Sequence, residues 1–461
     1  MAESRDGEVG ILVVGAGACG FAAAIAAHDS GADAAIVEKL DRIGGNTALS
    51  TGSVPGAGTR FQRTAGIEDS ADRLYEDLMA LSGPHDCPGL TRLLADESAG
   101  LVEWLADHAG VNLDIITEYC HVGHSVPRLH APRSRRGQDL LDDLARAAQS
   151  RDIPVAIGNP VTQLIAGKDG AVEGAVCSDP DGNESRIRAR KVILATNGFA
   201  ANRDLVRHYC AEIGAAEYFG ALGSTGDAVL LSAELGAALG NMGAYQGYAV
   251  IAYPQGSLLS WTTIEKGGIL VGADGRRFGN EGAGYSGFAR DVMKQKGDVY
   301  AVFDQRIHDI TSLEEEFNEL VNMGGVKHGD TVADAAAQYG IATDGLAATI
   351  DDYNQAAARH HDSAFGRREF GLAPLEPPYY VSRVIPGLFH SQGGLMVDAG
   401  ARVVRQDGSV IANLFAGGGA AAGISGREGG GGYASGNGLL SALGLGRIAG
   451  LTAAREIEGD A

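Results

Sequence analysis

One tyrosine stands in a loop that is almost bare of side chains. The sequence GREGGGGYASGN covers residues 426–437, and Tyr433 is its one aromatic residue. Three further polar side chains in the loop could take part in chemistry: Arg427, Ser435 and Asn437. Glycine lets the backbone approach a ligand closely, and a phenol adds one neutral hydrogen-bond donor. The pattern therefore predicts a loop that brings backbone and a few chosen polar groups against a bound molecule.

A second glycine pattern, near the N-terminus, predicts nucleotide binding. The strand-like run VGILVV leads into GAGACG, which reads GxGxxG at Gly15, Gly17 and Gly20 and precedes an alanine-rich helical stretch at 21–27. The first glycine permits the turn, the second admits a pyrophosphate and the third allows close helix packing. Glu38 follows the next strand, AAIV, where a carboxylate binds ribose hydroxyls. The alternative is a structural glycine turn with a surface glutamate.

The segment DRIGGNTALSTGS then indicates which dinucleotide is bound. A nicotinamide enzyme usually continues into an ordinary helix after its second strand. Here Gly44, Gly45, Asn46 and Thr47 add exposed backbone donors instead. Such a segment suits a larger nucleotide.

Composition bounds the class of protein. The chain has 461 residues, 45% hydrophobic and 21% charged, which is enough for two or three domains. The net charge of −21 argues against nucleic acid and anionic lipid as partners. Five cysteines without CxxC spacing favour neither a disulfide framework nor a metal site. No signal-peptide pattern or apolar run of membrane-spanning length is found, so we expect a cytoplasmic protein.

These glycine motifs resemble those of flavoprotein subunits of the fumarate reductase and succinate dehydrogenase superfamily, which also includes ketosteroid dehydrogenases. The resemblance continues in KVILATNGFAAN (191–202), in GSTGDAVLLSAELGAAL (223–239), where Thr225 or Asp227 would cap a helix, and in the final hairpin (394–423). It implies an α/β fold with a Rossmann-type FAD-binding domain, three-layer ββα, and an inserted α+β capping domain.

The implied domain bounds are 1–241 for the first part of the FAD-binding domain, 242–375 for the capping domain and 376–461 for the second part. Helical patterns such as SLEEEFNELVNM and TIDDYNQAAARHH occur in the inserted segment. In this superfamily the inserted domain closes over the flavin, which excludes water from hydride chemistry.

The resemblance implies FAD as cofactor, bound non-covalently because GGNTALSTGSVPGAG (44–58) contains no histidine. Asn197 stands where a glycine is more usual. The absence of an iron-sulfur cysteine set or a haem CxxCH predicts a diffusible electron acceptor. The implied cofactor-binding residues are Gly15, Gly17, Ala18, Gly20, Glu38, Lys39, Gly44, Gly45, Asn46, Thr47, Thr51, Gly52, Ala195, Thr196, Asn197, Gly198, Asp227, Gly418, Ser435, Asn437, Gly438 and Leu439.

The substrate prediction depends on two positions where fumarate reductases carry arginine. Their RFxNE motif, followed four residues later by a proton-delivering arginine, matches GRRFGNEGAGYSG (275–287), in which Tyr285 takes the place of the arginine. Their carboxylate-clamping arginine, four residues before the asparagine of the last helix, is Tyr433 here, followed by Asn437. Their Q-x-H reads Gln246, Gly247, Tyr248 in this chain.

Tyrosines at these places suit a ketone better than a dicarboxylate. A dicarboxylate needs fixed cations, whereas a phenol can stabilise the charge that develops on a ketone oxygen. Ketosteroid dehydrogenases have such tyrosines, and the resemblance assigns Tyr433 to the substrate carbonyl and Tyr285 to proton abstraction, with the order of roles open. Ser435 and Tyr248 join them as catalytic candidates, and Ser435 or the backbone near Gly436 and Asn437 supplies supporting contacts.

Several alternatives stay open from the sequence. Tyr433, Tyr285 and Tyr248 are packing residues in the simplest interpretation. His390, in FHSQGG, matches a substrate-binding histidine of the reductases, and its alternative role is a hydrogen bond to flavin or backbone. Arg427 meets a substrate carboxylate or the flavin, or points into solvent.

The basic run HVGHSVPRLHAPRSRRG (121–137) steers an anionic substrate or forms a structural loop. The predicted function is an FAD-dependent dehydrogenase that forms a C=C bond next to a ketone, of the 3-ketosteroid or oxocyclohexane carboxylate type. The alternatives are a reductase of an unsaturated acid, like fumarate or urocanate reductase, and a flavoprotein without C–C chemistry.

Overall fold

The computed structural model describes residues 6–118 and 120–459, and the chain divides into two compact units. The first unit comprises the chain up to Cys210, Gly220–Tyr245 and the chain from His390 onward. The second comprises Ala211–Phe219 and Gln246–Phe389. The second unit ends later than the expected 375 because the long strand Tyr379–Ser391 pairs within its sheet.

Twenty-one strands occur in the described residues. In chain order they are β1 (Gly7–Val14), β2 (Ala34–Val37), β3 (Val54–Pro55), β4 (Asp114–Ile115), β5 (Leu129–Ala131), β6 (Val155–Ala156), β7 (Val161–Ala166), β8 (Val172–Ser178), β9 (Glu184–Leu194), β10 (Glu217–Tyr218), β11 (Leu239–Gly240), β12 (Gly243–Ala252), β13 (Ser257–Leu258), β14 (Ile269–Gly272), β15 (Val299–Asp304), β16 (Lys327–Gly329), β17 (Tyr379–Ser391), β18 (Gly394–Leu395), β19 (Arg402–Val404), β20 (Val410–Ala416) and β21 (Glu428–Gly429).

Sixteen α-helices accompany them in the same part of the chain. They are α1 (Ala18–Asp29), α2 (Gly45–Ala48), α3 (Arg60–Thr64), α4 (Ala71–Ser82), α5 (Pro88–Asp107), α6 (Gly137–Gln149), α7 (Arg203–Tyr209), α8 (Asp227–Ser232), α9 (Thr262–Glu265), α10 (Gly284–Gly287), α11 (Ala289–Met293), α12 (Gln305–Thr311), α13 (Glu315–Asn322), α14 (Val332–Ala337), α15 (Thr343–Ala358) and α16 (Asn437–Gly459).

The first unit is built on a sheet with the order β19-β20-β9-β1-β2-β6. In addition, β8 pairs with β9, and β7 pairs with β8. β1 pairs in parallel with both β2 and β9, and β20 pairs in parallel with β9. β7, β8 and β9 form an antiparallel meander. The apolar run at the end of β1 is buried, as a strand covered on both faces requires. The Rossmann-type α/β prediction is confirmed.

Two helices, α1 and α16, pack on each other through small residues. Every residue of α1 from Ala18 to Ala27 is buried. A Cβ on Gly446 would lie 2.3 Å from the Cys19 carbonyl oxygen, and one on Gly450 would lie 2.1 Å from that of Ala23. The glycines near the end of the chain therefore serve this close packing, since a larger side chain would push the helices apart.

The second unit has a mostly antiparallel sheet with the order β13-β12-β17-β15-β14, and β10 and β16 pair with β17. All six residues of β15 are buried. The helical patterns predicted in this segment appear as α13 and α15, whose apolar faces are buried. This is the α+β composition that we expected for the inserted domain.

One local prediction is wrong. We expected Thr225 or Asp227 to cap the helix that is now α8, but its N-cap is Gly226, with φ +86° and no capping side chain. Both side chains bond to Lys39 instead. Within the described residues, no helix is both long and apolar enough to cross a membrane.

Candidate functional site

The turn between β1 and α1 is shaped so that two of its glycines are required. Gly15 has φ +115°, and a Cβ there would lie 2.4 Å from the Ala195 carbonyl oxygen. A Cβ on Gly20 would lie 1.8 Å from the carbonyl oxygen of Gly15. At Gly17 a Cβ would fit, 3.6 Å from the Gly44 carbonyl oxygen, so the packing of the turn does not itself require glycine there, and a ligand close to the backbone would. Gly17 is also the N-cap of α1, with no side chain bonded to the helix start.

Two predicted cofactor residues follow β2, and each has fixed partners. Glu38 accepts hydrogen bonds from the Ala16 and Leu40 amides, both at 2.9 Å. Lys39 Nζ donates to Asp227 Oδ2 and to Thr225 Oγ1, both at 2.7 Å. The structure thus brings together Lys39 and Asp227, which the sequence places far apart.

The glycine-rich segment after β2 is tied to its surroundings by its two polar residues. Thr47 Oγ1 accepts from the Ala18 amide at 3.1 Å, so the short helix α2 rests on the first turn of α1. Asn46 Oδ1 accepts from the Ala221 amide at 2.7 Å. These bonds hold the backbone donors of this segment beside Gly17.

Unusual backbone conformations mark both ends of the same segment. Gly44 and Gly45 have φ +154° and +64°, and Gly52 has φ +70°. These are angles that residues with a Cβ rarely adopt. Thr51 lies next to this last turn, and its hydroxyl bonds that of Ser53 at 2.9 Å.

The ATNG turn after β9 contains an asparagine in a left-handed conformation. Asn197 has φ +63°, which asparagine tolerates better than most residues, and this explains how it replaces the more usual glycine. Its Nδ2 donates to Ser224 Oγ at 2.8 Å, and its Oδ1 accepts from the Gly198 amide at 2.9 Å. Gly418 also has positive φ, +59°. A Cβ on Gly419 would lie 2.6 Å from Asn197 Oδ1, so the two turns are adjacent.

Two buried polar atoms in these turns fit a ligand with hydrogen-bonding groups. Thr196 Oγ1 and Asn437 Oδ1 are buried and have no hydrogen-bond partner among the described residues. Buried polar atoms are rarely left unpaired, because their desolvation is costly. Asn437 begins α16, whose N-terminus favours negative charge. The phosphate-binding turn, Glu38 and these two atoms are suitable for FAD.

Tyr433 and His390 meet over the first turn of α16. Tyr433 is 7% exposed, and its ring centroid lies 5.4 Å from that of His390 in an edge-to-face arrangement. A Cβ placed on Gly438 would lie 3.4 Å from His390 Nε2 and 3.5 Å from the Tyr433 hydroxyl. The structure therefore brings the predicted tyrosine and histidine to one point, beside Gly438 and Leu439.

A chain of hydrogen bonds behind His390 was missed by the sequence analysis. Gln392 Nε2 lies 2.7 Å from His390 Nδ1, and Ser425 Oγ donates to Gln392 Oε1 at 2.8 Å. Asn437 Nδ2 donates to Ser425 Oγ at 3.3 Å. Burial lowers the pKa of His390 to about 4, so the imidazole is neutral near pH 7. Gln392 lies two residues after His390 in FHSQGG, but that spacing alone does not indicate a hydrogen bond between the two side chains.

Ser435 is anchored through its backbone. Its carbonyl oxygen lies 2.8 Å from His124 Nε2, and its amide donates to the Val122 carbonyl at 3.0 Å. Burial lowers the pKa of His124 to about 4, which makes this ring a neutral donor. The loop that carries Tyr433 is therefore held by the segment at 121–124, which belongs to the basic run.

The arginines considered as substrate ligands are paired with carboxylates. Arg427 Nε donates to Asp86 Oδ1 at 2.7 Å, with 62% of its side chain exposed. The Arg128 side chain is fully buried and bonds Asp69 at 2.8 Å and Asp77 at 2.6 Å. Two others in the run pair with surface carboxylates, Arg133 with Asp114 and Arg135 with Glu118. This supports the structural interpretation of the run.

In the second unit, Tyr285 belongs to a group of aromatic rings. Its centroid lies 5.4 Å from that of Tyr248 and 6.3 Å from that of Trp261. Tyr248 stacks on Phe389 at 5.5 Å. The Tyr248 hydroxyl donates to the Leu259 carbonyl at 3.1 Å and accepts from the Trp261 amide at 3.0 Å, and burial holds its pKa well above the usual value. The Tyr248 hydroxyl is thus hydrogen-bonded to two backbone groups. Tyr285 is only partly buried.

Comparisons with known proteins give one family and two kinds of reaction. The FAD binding domain family matches residues 10–434. A probable fumarate reductase of Shewanella frigidimarina, Ifc3, is 31% identical over 448 residues, covering 96% of this chain and 74% of that protein. A 4-oxocyclohex-2-ene-1-carboxylate 5-dehydrogenase of Sinomonas cyclohexanicum is 26% identical over 559 residues, covering 97% of this chain and 93% of that protein.

A solved structure adds a similarity of fold across the whole chain. The 3-ketosteroid-Δ4-(5α)-dehydrogenase from Rhodococcus jostii RHA1 has a TM-score of 0.80 and 25% identity, covering 98% of each chain. The names of these relatives describe two kinds of reaction, the reduction of fumarate and the dehydrogenation of a cyclic ketone. The chain belongs to the FAD binding domain family, within the fumarate reductase and succinate dehydrogenase superfamily, and is an FAD-dependent oxidoreductase.

Proposed function

We propose that this protein is a dehydrogenase that introduces a C=C bond next to the carbonyl of a cyclic ketone. One observation carries the proposal: the Tyr433 hydroxyl and His390 Nε2 converge at Gly438, and burial keeps the imidazole neutral near pH 7. A ketone oxygen gains partial negative charge when the neighbouring C–H is deprotonated. Two neutral donors aimed at that oxygen stabilise this charge more than they stabilise the ground state.

The charges around the Tyr433 loop support a ketone over a dicarboxylate. Burying a carboxylate without a cationic partner is very costly. Arg427 and Arg128, the arginines that the sequence offered for this purpose in the first unit, already pair with Asp86 and with Asp69 and Asp77. A dicarboxylate would have to displace one of these partners, whereas a ketone oxygen needs only the neutral donors.

The aromatic group of the second unit supports a ring substrate. Tyr285, Tyr248, Trp261 and Phe389 present apolar ring surface with one partly buried phenol, Tyr285. We assign Tyr285 to remove the proton from the carbon next to the carbonyl. Two backbone hydrogen bonds fix Tyr248, and its ring in turn packs against the Tyr285 ring and positions it.

Electrons and atoms balance in the proposed reaction. The C–H bond next to the carbonyl breaks and its proton goes to Tyr285, while the adjacent carbon loses a hydride and the C=C bond forms. FAD, when bound, supplies the hydride acceptor. A diffusible electron acceptor then takes up the two electrons.

A second candidate is a reductase of an unsaturated carboxylic acid. His390 occupies the place of a reductase substrate histidine, and 31% identity to a probable fumarate reductase agrees with this. This candidate needs a cation for the carboxylate, and Arg427 would have to exchange Asp86 for the substrate.

Anaerobic mixing distinguishes the two candidates. The oxidised, FAD-loaded protein is mixed with cyclic ketones, including 3-ketosteroids and oxocyclohexane carboxylates, while flavin absorbance is followed. Bleaching by a ketone is expected. If no ketone bleaches the flavin, and dithionite-reduced protein is reoxidised by fumarate or another unsaturated acid, the reductase takes its place.

A further inference from the structure

We propose that Gln392 is a positioning residue that holds His390 as the Nε2–H tautomer, so that the imidazole is a second donor to the substrate carbonyl oxygen beside Tyr433. The inference deepens the proposed function and rests on it for the identity of the acceptor. What it states about His390 and Gln392 concerns the resting protein.

The direction of the hydrogen bonds follows from the chemistry of their members. An amide nitrogen only donates, so Ser425 Oγ accepts from Asn437 Nδ2 and its own hydrogen goes to Gln392 Oε1, at 2.8 Å. This fixes the Gln392 amide with its Nε2 towards His390 Nδ1, at 2.7 Å. Nδ1 must therefore accept, and the single proton of a neutral imidazole lies on Nε2.

That proton lies where the proposed substrate oxygen would need a donor. A Cβ on Gly438 would be 3.4 Å from Nε2 and 3.5 Å from the Tyr433 hydroxyl, so both groups face one point. The opposite tautomer would give the Ser391 carbonyl a proton from Nδ1 across 3.4 Å, a longer contact than the one to Gln392. It would also turn Nε2 into an acceptor, which repels a carbonyl oxygen.

Burial gives the arrangement its stability against pH. The Gln392 side chain lies in a buried network, since Gln392 is 6% exposed and Ser425 is 1% exposed. The titratable ring packed against His390 is Tyr433, and the polar groups at its Nδ1 are the Gln392 amide and the Ser391 carbonyl. The pKa of His390 is about 4, so the ring is neutral above about pH 6.

Two substitutions separate positioning from a purely structural role. Gln392→Glu replaces the donor by a carboxylate of the same shape, which attracts a proton to Nδ1. Gln392→Met keeps the size and removes the hydrogen bond. Gln149→Glu, at an exposed position of α6, adds the same charge elsewhere and serves as control.

The measurement is nitrogen-15 NMR of histidine-labelled holoenzyme, with His390→Asn used to identify the resonances. We expect the wild type and Gln149→Glu to show the Nε2–H pattern with no change between pH 6 and pH 9. In Gln392→Glu the titration midpoint of His390 should rise by about 2 pH units, because an opposite charge favours the imidazolium. Above that midpoint the pattern should change to Nδ1–H, and Gln392→Met should show a mixture.

An Nδ1–H pattern in the wild type, or an unchanged Nε2–H pattern in both Gln392 variants, would overturn the inference. If Gln392→Glu does not retain FAD, Ser425→Ala tests the same point, because it frees the Gln392 amide to turn and should yield a mixture of tautomers. These results need no substrate. Failure of ketone turnover with the Nε2–H pattern present would reject the proposed function and leave the assignment of Gln392 intact.

Discussion

Replacing Tyr433 with phenylalanine removes one hydroxyl and little else. The residue is 7% exposed and its ring packs edge-on against His390, and a phenyl ring keeps both the burial and this contact. The lost group is the donor next to Gly438. Removing one donor to a developing oxyanion typically costs about 100-fold to 1,000-fold in rate, or roughly 3 kcal/mol. We expect kcat for the ketone to fall by about that factor, because His390 remains as the second donor.

The assay compares single-turnover flavin reduction by a ketone in Tyr433→Phe, in Tyr75→Phe and in the wild type. Tyr75 lies in α4, and the Arg92 guanidinium lies over its ring, 5.1 Å from the centroid. Phenylalanine keeps that ring, so Tyr75→Phe controls for the loss of a tyrosine hydroxyl away from the proposed site. All three proteins should contain FAD in equal amounts. The reasoning is refuted if Tyr433→Phe reduces its flavin at a rate within about threefold of the wild type, since the loss of an oxyanion donor typically costs about 100-fold or more.

Two further substitutions test the point at Gly438 and the role of Arg427. Gly438→Ala places a methyl group against both donors and should lower kcat/KM for the ketone by at least about 100-fold with FAD retained. The control Gly100→Ala, in open space on α5, should leave kcat/KM unchanged. Equal activity of the two variants would show that the carbonyl binds elsewhere. Arg427→Ala should change KM for a neutral ketone and for an oxocyclohexane carboxylate by less than about twofold, because exposed ion pairs contribute little. A rise in KM of about tenfold for the carboxylate alone would instead assign Arg427 to the substrate carboxylate.

Much of the first unit was predictable because its motifs are local. GxGxxG requires a strand, a turn and a helix in immediate succession, and β1 and α1 follow that order. The position of Glu38 follows from the next strand in the same way. The positive φ of Gly15, and the close approach of a carbonyl oxygen to Gly20, explain why these two positions require glycine.

The N-cap of α8 and the ion pair of Lys39 depend on contacts between distant segments, which a local sequence pattern does not predict. Thr225 and Asp227 have the residue types of an N-cap. Lys39 lies more than 180 positions away in sequence and takes both side chains, so Gly226 is left at the cap. A distant cation outcompetes backbone amides because a charge-assisted bond is the stronger one. No pattern in a single segment contains that information.

The network behind His390 was missed for a related reason. Gln392, Ser425 and Asn437 come from three separate segments, and none of them is unusual in its own surroundings. Their importance appears only when β17 and the start of α16 bring them within hydrogen-bond distance. The sequence predicted His390 and Tyr433 individually, and the fold supplies their common point at Gly438.

Substrate choice in this family of folds reduces to a difference in burial cost. A carboxylate and a ketone oxygen bind the same donors, but only the carboxylate carries a full charge that must be compensated after desolvation. An arginine at the position of Tyr433 would supply that compensation, and in a site built for a neutral ketone it would be a buried charge without a partner. With Tyr433, and with the pKa of His390 near 4, the arrangement has no net charge to compensate. Because the penalty acts in both directions, we expect arginine-to-tyrosine exchanges at the positions of Tyr433 and Tyr285 to favour ketones over acids on the same scaffold.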